Sequence, residues 1–424
     1  MVYKNKGITL IALVITIIVL LILAGVSIAM LTGENGVLTN AESAKTETEK
    51  ASAKEKVQLA ALGSHDNSGK LNLDQLKEEV TNEGGTVTGD TFPVTVSMDG
   101  HDFEVDSDRN VTEKKKLADI TGDETANTVT QDSLGNPIRI PAGFEVVNPT
   151  DNVTDGIIIK DKTHTATAGS EFVWIPVGTI KTDNNGGKKT IKLSRYTFDE
   201  TTGAPTDQGD AAITSGDYNY QELASSDKGN TVAKDIEAFK AKANASHGYY
   251  LARYEARKAT ERSSSTTDDN LKQITTKPND YVYNWVTQPQ AATLSRGMYE
   301  GTPFESDLIN SYAWDTATLF LQTIDNRTTD KNKKYSIQSS LNSSPANKGT
   351  NNLTEASKQD KICNIYDMAS NCFEWSTETY SRSGFPCTER GGCYNNSGIC
   401  TGSRSYGNAT DSHISGSFRP LLYL

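Results

Sequence analysis

Between Lys6 and Glu34 the chain carries no charge, and from Ile8 to Leu31 it reads ITLIALVITIIVLLILAGVSIAML, relieved only by Thr9, Thr16, Gly25 and Ser27. A hydrocarbon core of ~30 Å is crossed by about 20 apolar residues rising ~1.5 Å each, so the run predicts a membrane-spanning helix. The run is too long for a cleaved secretory signal, no small-x-small cleavage site follows it, and the chain continues into a polar helical pattern. Lys4 and Lys6 precede the run, and Glu34, Glu42 and Glu47 follow it. That asymmetry predicts a cytoplasmic amino terminus, with everything after the span outside the cell.

The leader ends in Lys6-Gly7 and is followed by Ile8-Thr9-Leu10-Ile11. This junction resembles the processing site of type IV prepilins and secretion pseudopilins. The resemblance implies cleavage after Gly7 by a prepilin peptidase, methylation of the new amino group on Ile8, and packing against other pilin subunits. Where that family carries a glutamate as fifth residue of the mature helix, this chain has Ala12.

The formal net charge of -12 argues against nucleic acid as a partner, because an acidic surface repels phosphate backbones and no basic stripe reverses this locally. The five cysteines, Cys363, Cys372, Cys387, Cys393 and Cys400, all lie near the carboxy end, and all four tryptophans lie beyond residue 170. The chain is therefore modular. Outside the cell such thiols predict up to two disulfides and one unpaired cysteine, with the pairing left open. The spacings contain no paired C-x2-C units, which argues against zinc.

An Ala-, Glu- and Lys-rich pattern predicts a helix from about 40 to 62, ending at Gly63 and making contacts through Val57, Leu59, Ala60 and Leu62. A second helix is expected at Leu73–Val80. Phe92, Val94, Val96 and Met98 then alternate with polar residues, Asp99-Gly100 supplies a turn, and Phe103 with Val105 alternates back as a hairpin. Residues 32–111 thus read as a stalk helix with a small antiparallel sheet, and the polar stretch 112–137 as a linker. Beyond it, 156–160 and Glu171–Val177 read as buried strands, and 182–230 as a polar insertion. Ile236, Phe239 and Ala243 share one helix face. Tyr249–Glu255 is a strand, and helices are expected at Gln288–Met298 and Ser306–Ile324.

Five separated motifs in the carboxy part resemble the formylglycine-generating enzymes: GSEFVWIPV, YYLARYEA, YNWVTQPQAATL, the run Asn364 to Trp375 (NIYDMASNCFEW), and Arg390-Gly391-Gly392 with Gly416 to Pro420 (GSFRP). For 138–424 the resemblance implies a C-type-lectin-like domain rich in irregular structure. The expected fold class is accordingly α+β: a long amino-terminal transmembrane helix with a small antiparallel sheet, then that domain. It also implies calcium near Asn371 and Glu374, whose hard oxygens, with the Ser370 and Cys372 carbonyls, suit that ion. The alternative is that these two side chains simply satisfy turn amides and Arg419.

The enzymes bind copper(I) through a cysteine pair shortly after their R-G-G-S-W motif, soft thiolates suiting that metal. Here Cys393 stands where the family has serine, and Cys400 follows at a wider gap. The spacing argues against copper, and if the chain is an enzyme these two cysteines are its catalytic candidates. No phosphate-cradling glycine loop, H-E-x-x-H or G-x-S-x-G occurs. What remains is the polar run between Gly392 and Gly416, whose Asn, Ser, Tyr, Gly and Arg side chains make adaptable contacts. It resembles the ligand-facing stretch of lectin-fold display proteins, including retroelement-diversified variable proteins. Tyr394, Asn395, Asn396, Arg404, Tyr406 and Asn408 are the candidate contacts to an extracellular protein or glycan. The expected function is a pilin-like surface protein displaying a non-catalytic binding domain, an adhesin or minor pilin. The rivals are a copper oxidoreductase and a purely structural pilin.

Overall fold

The computed structural model describes residues 37–66, 69–224, 231–258, 262–264, 274–278, 281–325, 334–338, 360–394 and 399–424. The leader with Gly7 and Ile8, the apolar run 8–31, and Asn395 and Asn396 lie outside them. Two compact units divide at Lys114 and Lys115.

The first unit opens with helix α1 (Val37–Gly63), followed by α2 (Leu73–Asn82) and strands β1 (Thr86–Thr88), β2 (Val94–Met98), β3 (His101–Val105) and β4 (Val111–Lys116), the unit closing within β4. Ala53, Val57 and Ala60 recur at helical spacing and are buried together with Leu76, Val80, Val96 and Phe103. Leu59 and Leu62, expected to share that contact, are instead 61% and 64% exposed. The helix thus buries the alanine side of its surface. The Asn72 side chain caps α2 by accepting the Gln75 N–H at 3.1 Å. Asp99 and Gly100 both have positive φ, the backbone a tight two-residue turn requires, and Val94 to Met98 pairs antiparallel with His101 to Val105.

The second unit contains β5 (Phe144–Val146), β6 (Ile158–Asp161), β7 (Glu171–Pro176), β8 (Ile213–Ser215), β9 (Tyr218–Gln221), helix α3 (Ile236–Ala245), β10 (Gly248–Ala252), α4 (Gln288–Gly297), β11 (Glu305–Leu308) and α5 (Ser311–Ile324). Beyond these come β12 (Phe373–Tyr380), β13 (Cys387–Arg390), β14 (Arg404–Gly407), β15 (Gly416–Phe418) and β16 (Pro420–Tyr423). One six-stranded sheet has the order β11-β16-β10-β7-β6-β5; the other runs β8-β9-β12-β13-β14, with β15 parallel to β12. Trp174, Trp314 and Trp375 are fully buried in the core, which is continuous from β7 to β16.

This architecture corrects the expected fold class. The described residues hold more strand than helix, with five α-helices, and none of those helices is long and apolar enough to cross a membrane. The first of them, α1, is polar. The carboxy part holds two six-stranded sheets. The stretch 112–137, read as a linker, contains most of β4 and the strand Thr128–Gln131, which pairs with Pro137–Ile140. The presumed insertion also supplies structure, since β8 and β9 belong to the second sheet. The helix expected from Ser306 begins only at Ser311, because Leu308 pairs with Pro420 in the sheet and Asn310 caps the helix by accepting the Ala313 N–H.

Candidate functional site

Register brings two arginines side by side: Arg390 closes β13, Arg404 opens β14, and they are cross-strand partners. Both are buried, and like charges directly opposite repel. The conflict is resolved from the neighbouring elements. Asp315, in the first half of α5, accepts Arg390 Nη2 at 2.5 Å and also accepts Arg404 Nη2. Glu378 of β12 accepts Arg404 Nε at 3.1 Å, Arg390 Nη1 at 3.3 Å and Arg195 Nη2 at 2.7 Å. Burial alone would raise the Glu378 carboxyl, but Arg404, Arg390 and Arg195 together hold it at about 2. Burial and repulsion from Arg404 leave Arg390 below its ordinary value, whereas Asp315 and Glu378 hold Arg404 above its own. These side chains are engaged by one another, so they form a rigid charged floor.

The glycines after Arg390 explain how the floor closes. Gly391 has φ +78, and a Cβ there would lie 2.4 Å from the Met368 carbonyl oxygen. One on Gly392 would lie 2.2 Å from the Ala369 carbonyl oxygen. The Arg-Gly-Gly run is therefore where two stretches of backbone meet without room for side chains.

A second buried cluster surrounds Arg419, which donates Nη2 to Glu374 Oε1 at 2.7 Å and Nε to Oε2 at 3.0 Å. Its remaining donors reach the Ala252 and Tyr366 carbonyls, both at 2.8 Å. Asn371 donates its amide to Glu255 Oε2 at 2.9 Å. Burial, then repulsion from Asp367 and Glu374, pushes the Glu255 carboxyl well up. As placed, Glu374 is the counter-ion of Arg419, and Asn371 shares a cluster with it but faces Glu255. Among the described residues no group of three or more His, Cys, Asp or Glu side chains is arranged to hold a metal ion.

Arg404 of the first cluster also borders a cleft of about 680 Å³, whose wall includes Phe198, Thr214, Tyr220, Ser336 and Ser403. Glu200 and Cys400 also border it. The cysteines do not form the expected bridges: none of the five is in a disulfide. Cys400 reaches the cleft with its Sγ 3.2 Å from Ser403 Oγ, while Cys393 is fully buried and does not border the cleft.

The other predicted contacts are separated by the fold. Arg404 borders the cleft, and its guanidinium is paired with Asp315 and Glu378. Asn408 has its side-chain oxygen occupied by Thr410 N–H and Oγ1, both at 3.1 Å. The Tyr394 backbone N–H donates to Asn371 O at 2.9 Å. Tyr406 is the exposed member, at 43%. It stacks on Tyr380 with centroids 4.7 Å apart and planes 10° apart, and Tyr380 lies 4.6 Å from Tyr220. The sequence reading missed Tyr220, Tyr380 and the floor residues Arg195, Asp315 and Glu378. The alternating Tyr218-Asn219-Tyr220 was the available signal, a short strand placing both rings on one side.

No family model matches the chain, and no curated protein matches it. Among solved structures, a crystal structure of CarF matches at 16% identity over 42% of this chain and 86% of its own, with a TM-score of 0.26. Variable protein 1 of Treponema denticola matches at 13% identity, covering 62% of this chain and 99% of that one, TM-score 0.31. PvdO from Pseudomonas aeruginosa matches at 11% identity over 60% and 95%, TM-score 0.30.

Proposed function

We propose that this chain is a cell-surface protein of pilin type whose second unit binds an extracellular protein or glycan without transforming it, as an adhesin or minor pilin does. The observation that carries the binding reading is the cleft of about 680 Å³, bordered by Arg404 of a buried cluster whose charges are engaged by one another. Its volume is in the range of small-ligand sites. The wall offers hydroxyls and aromatic rings, groups that recognise a ligand, and the buried ion pairs keep that wall in one geometry at no cost on binding. Of the two cysteines that a copper site would need, Cys400 borders the cleft while Cys393 is buried and outside its lining. Surface display is supported by the uncharged apolar stretch after Lys6 and by the Lys6-Gly7-Ile8 junction in the sequence.

The test is a glycan and protein array probed with the full chain in detergent, alongside Thr214→Trp, which fills the cleft from its rim. The expected result is a discrete set of ligands bound by the wild type and lost in Thr214→Trp with an unchanged melting temperature. A blank array, or equal binding by both proteins, overturns the reading. Copper-dependent oxygen consumption with a thiol peptide, abolished by Cys400→Ser, overturns the non-catalytic part.

A further inference from the structure

We propose that the sheet face carrying Arg382 and the rings around it is a docking surface for an acidic segment of a partner protein, whose carboxylate pairs with the Arg382 guanidinium. Arg382 lies in the turn joining β12 to β13, and its guanidinium carbon is 5.0 Å from the Phe385 centroid and 5.6 Å from those of Tyr218 and Tyr406. Register puts these groups on one side. Tyr220 of β9 is the cross-strand partner of Tyr380 of β12, and Tyr218, two residues before Tyr220, shares its side of the strand. The Tyr380 ring lies 5.5 Å from Tyr218 and 4.7 Å from Tyr406. Asn219 and Gln221 fall on the opposite side of β9 and take no part.

The anchor is an unusual arginine for this chain. Arg195, Arg253, Arg296, Arg390, Arg404 and Arg419 each pair with a carboxylate. Among the described residues Arg382 pairs with none, although acidic residues outnumber basic ones by 54 to 42. Its Nη1 donates to Tyr406 Oη at 3.3 Å, and the rings hold the guanidinium without neutralising it. A planar fork kept in place and left charged is organised for a carboxylate from outside. At physiological salt, exposed charges beyond ~8 Å are largely screened, so this local cation outweighs the net charge of -12.

The groups around the anchor name the class of partner. Tyr380 is buried, and Tyr406 stacks on it with planes 10° apart while remaining 43% exposed. Among the described residues of the second unit, only Val147 and Tyr406 are large apolar side chains left exposed to that degree. A ring braced from behind has little freedom left to lose on docking. Tyrosine, phenylalanine and arginine grouped around one charge are the side chains in which protein–protein contacts concentrate their energy. From β9 to β14 the face is three strand spacings wide. That is roughly 14 Å at ~4.8 Å each, a width that about four residues of extended chain cross at ~3.3 Å per residue. The occupant is therefore a short acidic stretch with apolar side chains for the rings.

The experiment is calorimetric titration of the full chain in detergent with an alternating glutamate–leucine hexapeptide, its glutamine–leucine analogue, and a hyaluronate oligosaccharide as a carboxylate-bearing glycan. The glutamate peptide is expected to bind, and the glutamine analogue to bind at least about tenfold more weakly. Arg382→Met should weaken the glutamate peptide about tenfold to a hundredfold. Arg382→Lys should fall between, since it keeps the charge and loses the fork. Tyr406→Ala should weaken both peptides, because it removes the exposed ring. The comparison of the two peptides on the wild type needs no variant, so the test does not depend on how a substitution folds. Thr214→Trp, at the larger cleft, should leave peptide binding unchanged, so this surface stands or falls apart from the array ligands. Equal binding of the two peptides, full binding by Arg382→Met, no binding at millimolar peptide, or binding of the hyaluronate oligosaccharide in place of the peptide overturns the proposal. Self-association in sedimentation that Arg382→Met abolishes also overturns it, since the occupant is then a second copy of the chain.

Discussion

Replacing Glu222 by glutamine should remove a stability term that runs against pH. The Glu222 carboxylate lies between α5 and β12, accepting the Ser311 N–H at 2.9 Å, the Ser311 hydroxyl at 2.6 Å and the Thr377 hydroxyl at 2.5 Å. Burial raises the carboxyl from 4.5 to about 7, against the pull of those donors. Below pH 4.5 the group is protonated whether the chain is folded or not, and it contributes nothing to the pH dependence. Between 4.5 and about 7 the unfolded chain has released the proton and the folded one has kept it, so stability falls as pH rises. A shift from 4.5 to about 7 corresponds to roughly 3 kcal/mol at ~1.36 kcal/mol per unit. Residual exposure of the side chain trims this to about 2 kcal/mol. Glu222→Gln keeps the shape and cannot ionise. Urea unfolding at pH 5 and pH 8, followed by tryptophan fluorescence, reads the second unit, because every tryptophan lies there. The wild type should lose about 2 kcal/mol more than the variant between the two pH values. Parallel losses would refute the reasoning, since other buried carboxyls such as Glu255 and Asp307 titrate identically in both proteins.

Two further outcomes follow from the floor and its glycines. Arg390→Met leaves Asp315 and Glu378 short of a buried partner and should cost about 3–5 kcal/mol by chemical denaturation. Gly391→Ala, at φ +78 and with a Cβ 2.4 Å from a carbonyl oxygen, should cost about 2 kcal/mol or more, read as a lowered melting temperature.

Much of the local structure is legible in the chain because it depends on neighbours. Alternation of Val94, Val96 and Met98 about Asp99-Gly100 specifies a hairpin, and the spacing of Ile236, Phe239 and Ala243 specifies which face of α3 is buried. The charged floor is not legible. Arg195 and Glu378 meet across 183 residues, and nothing near either one signals the other. The same reason hides the pairing of Arg404 with Asp315, which lies 89 residues away. Leu308 reads as one turn of a helix because apolar spacing cannot show that Pro420 lies alongside. The fold class itself went astray on such pairings: the polar stretches 112–137 and 182–230 lack the apolar runs of buried strands, yet they supply hairpins and two strands of a six-stranded sheet. In the polar run between Gly392 and Gly416, register decides that Tyr406 faces outward while Asn408 folds onto Thr410.

The place of β16 has a consequence for biosynthesis. It lies between β11 and β10, in the interior of its sheet. On the ribosome, β10 emerges about 170 residues before β16, which at typical elongation rates is roughly 10–30 s. Through that interval the nascent chain holds a bare, strongly apolar strand margin, Gly248 to Ala252, with nothing yet made that can cover it. Completion of the sheet is thus a late event in the life of each molecule.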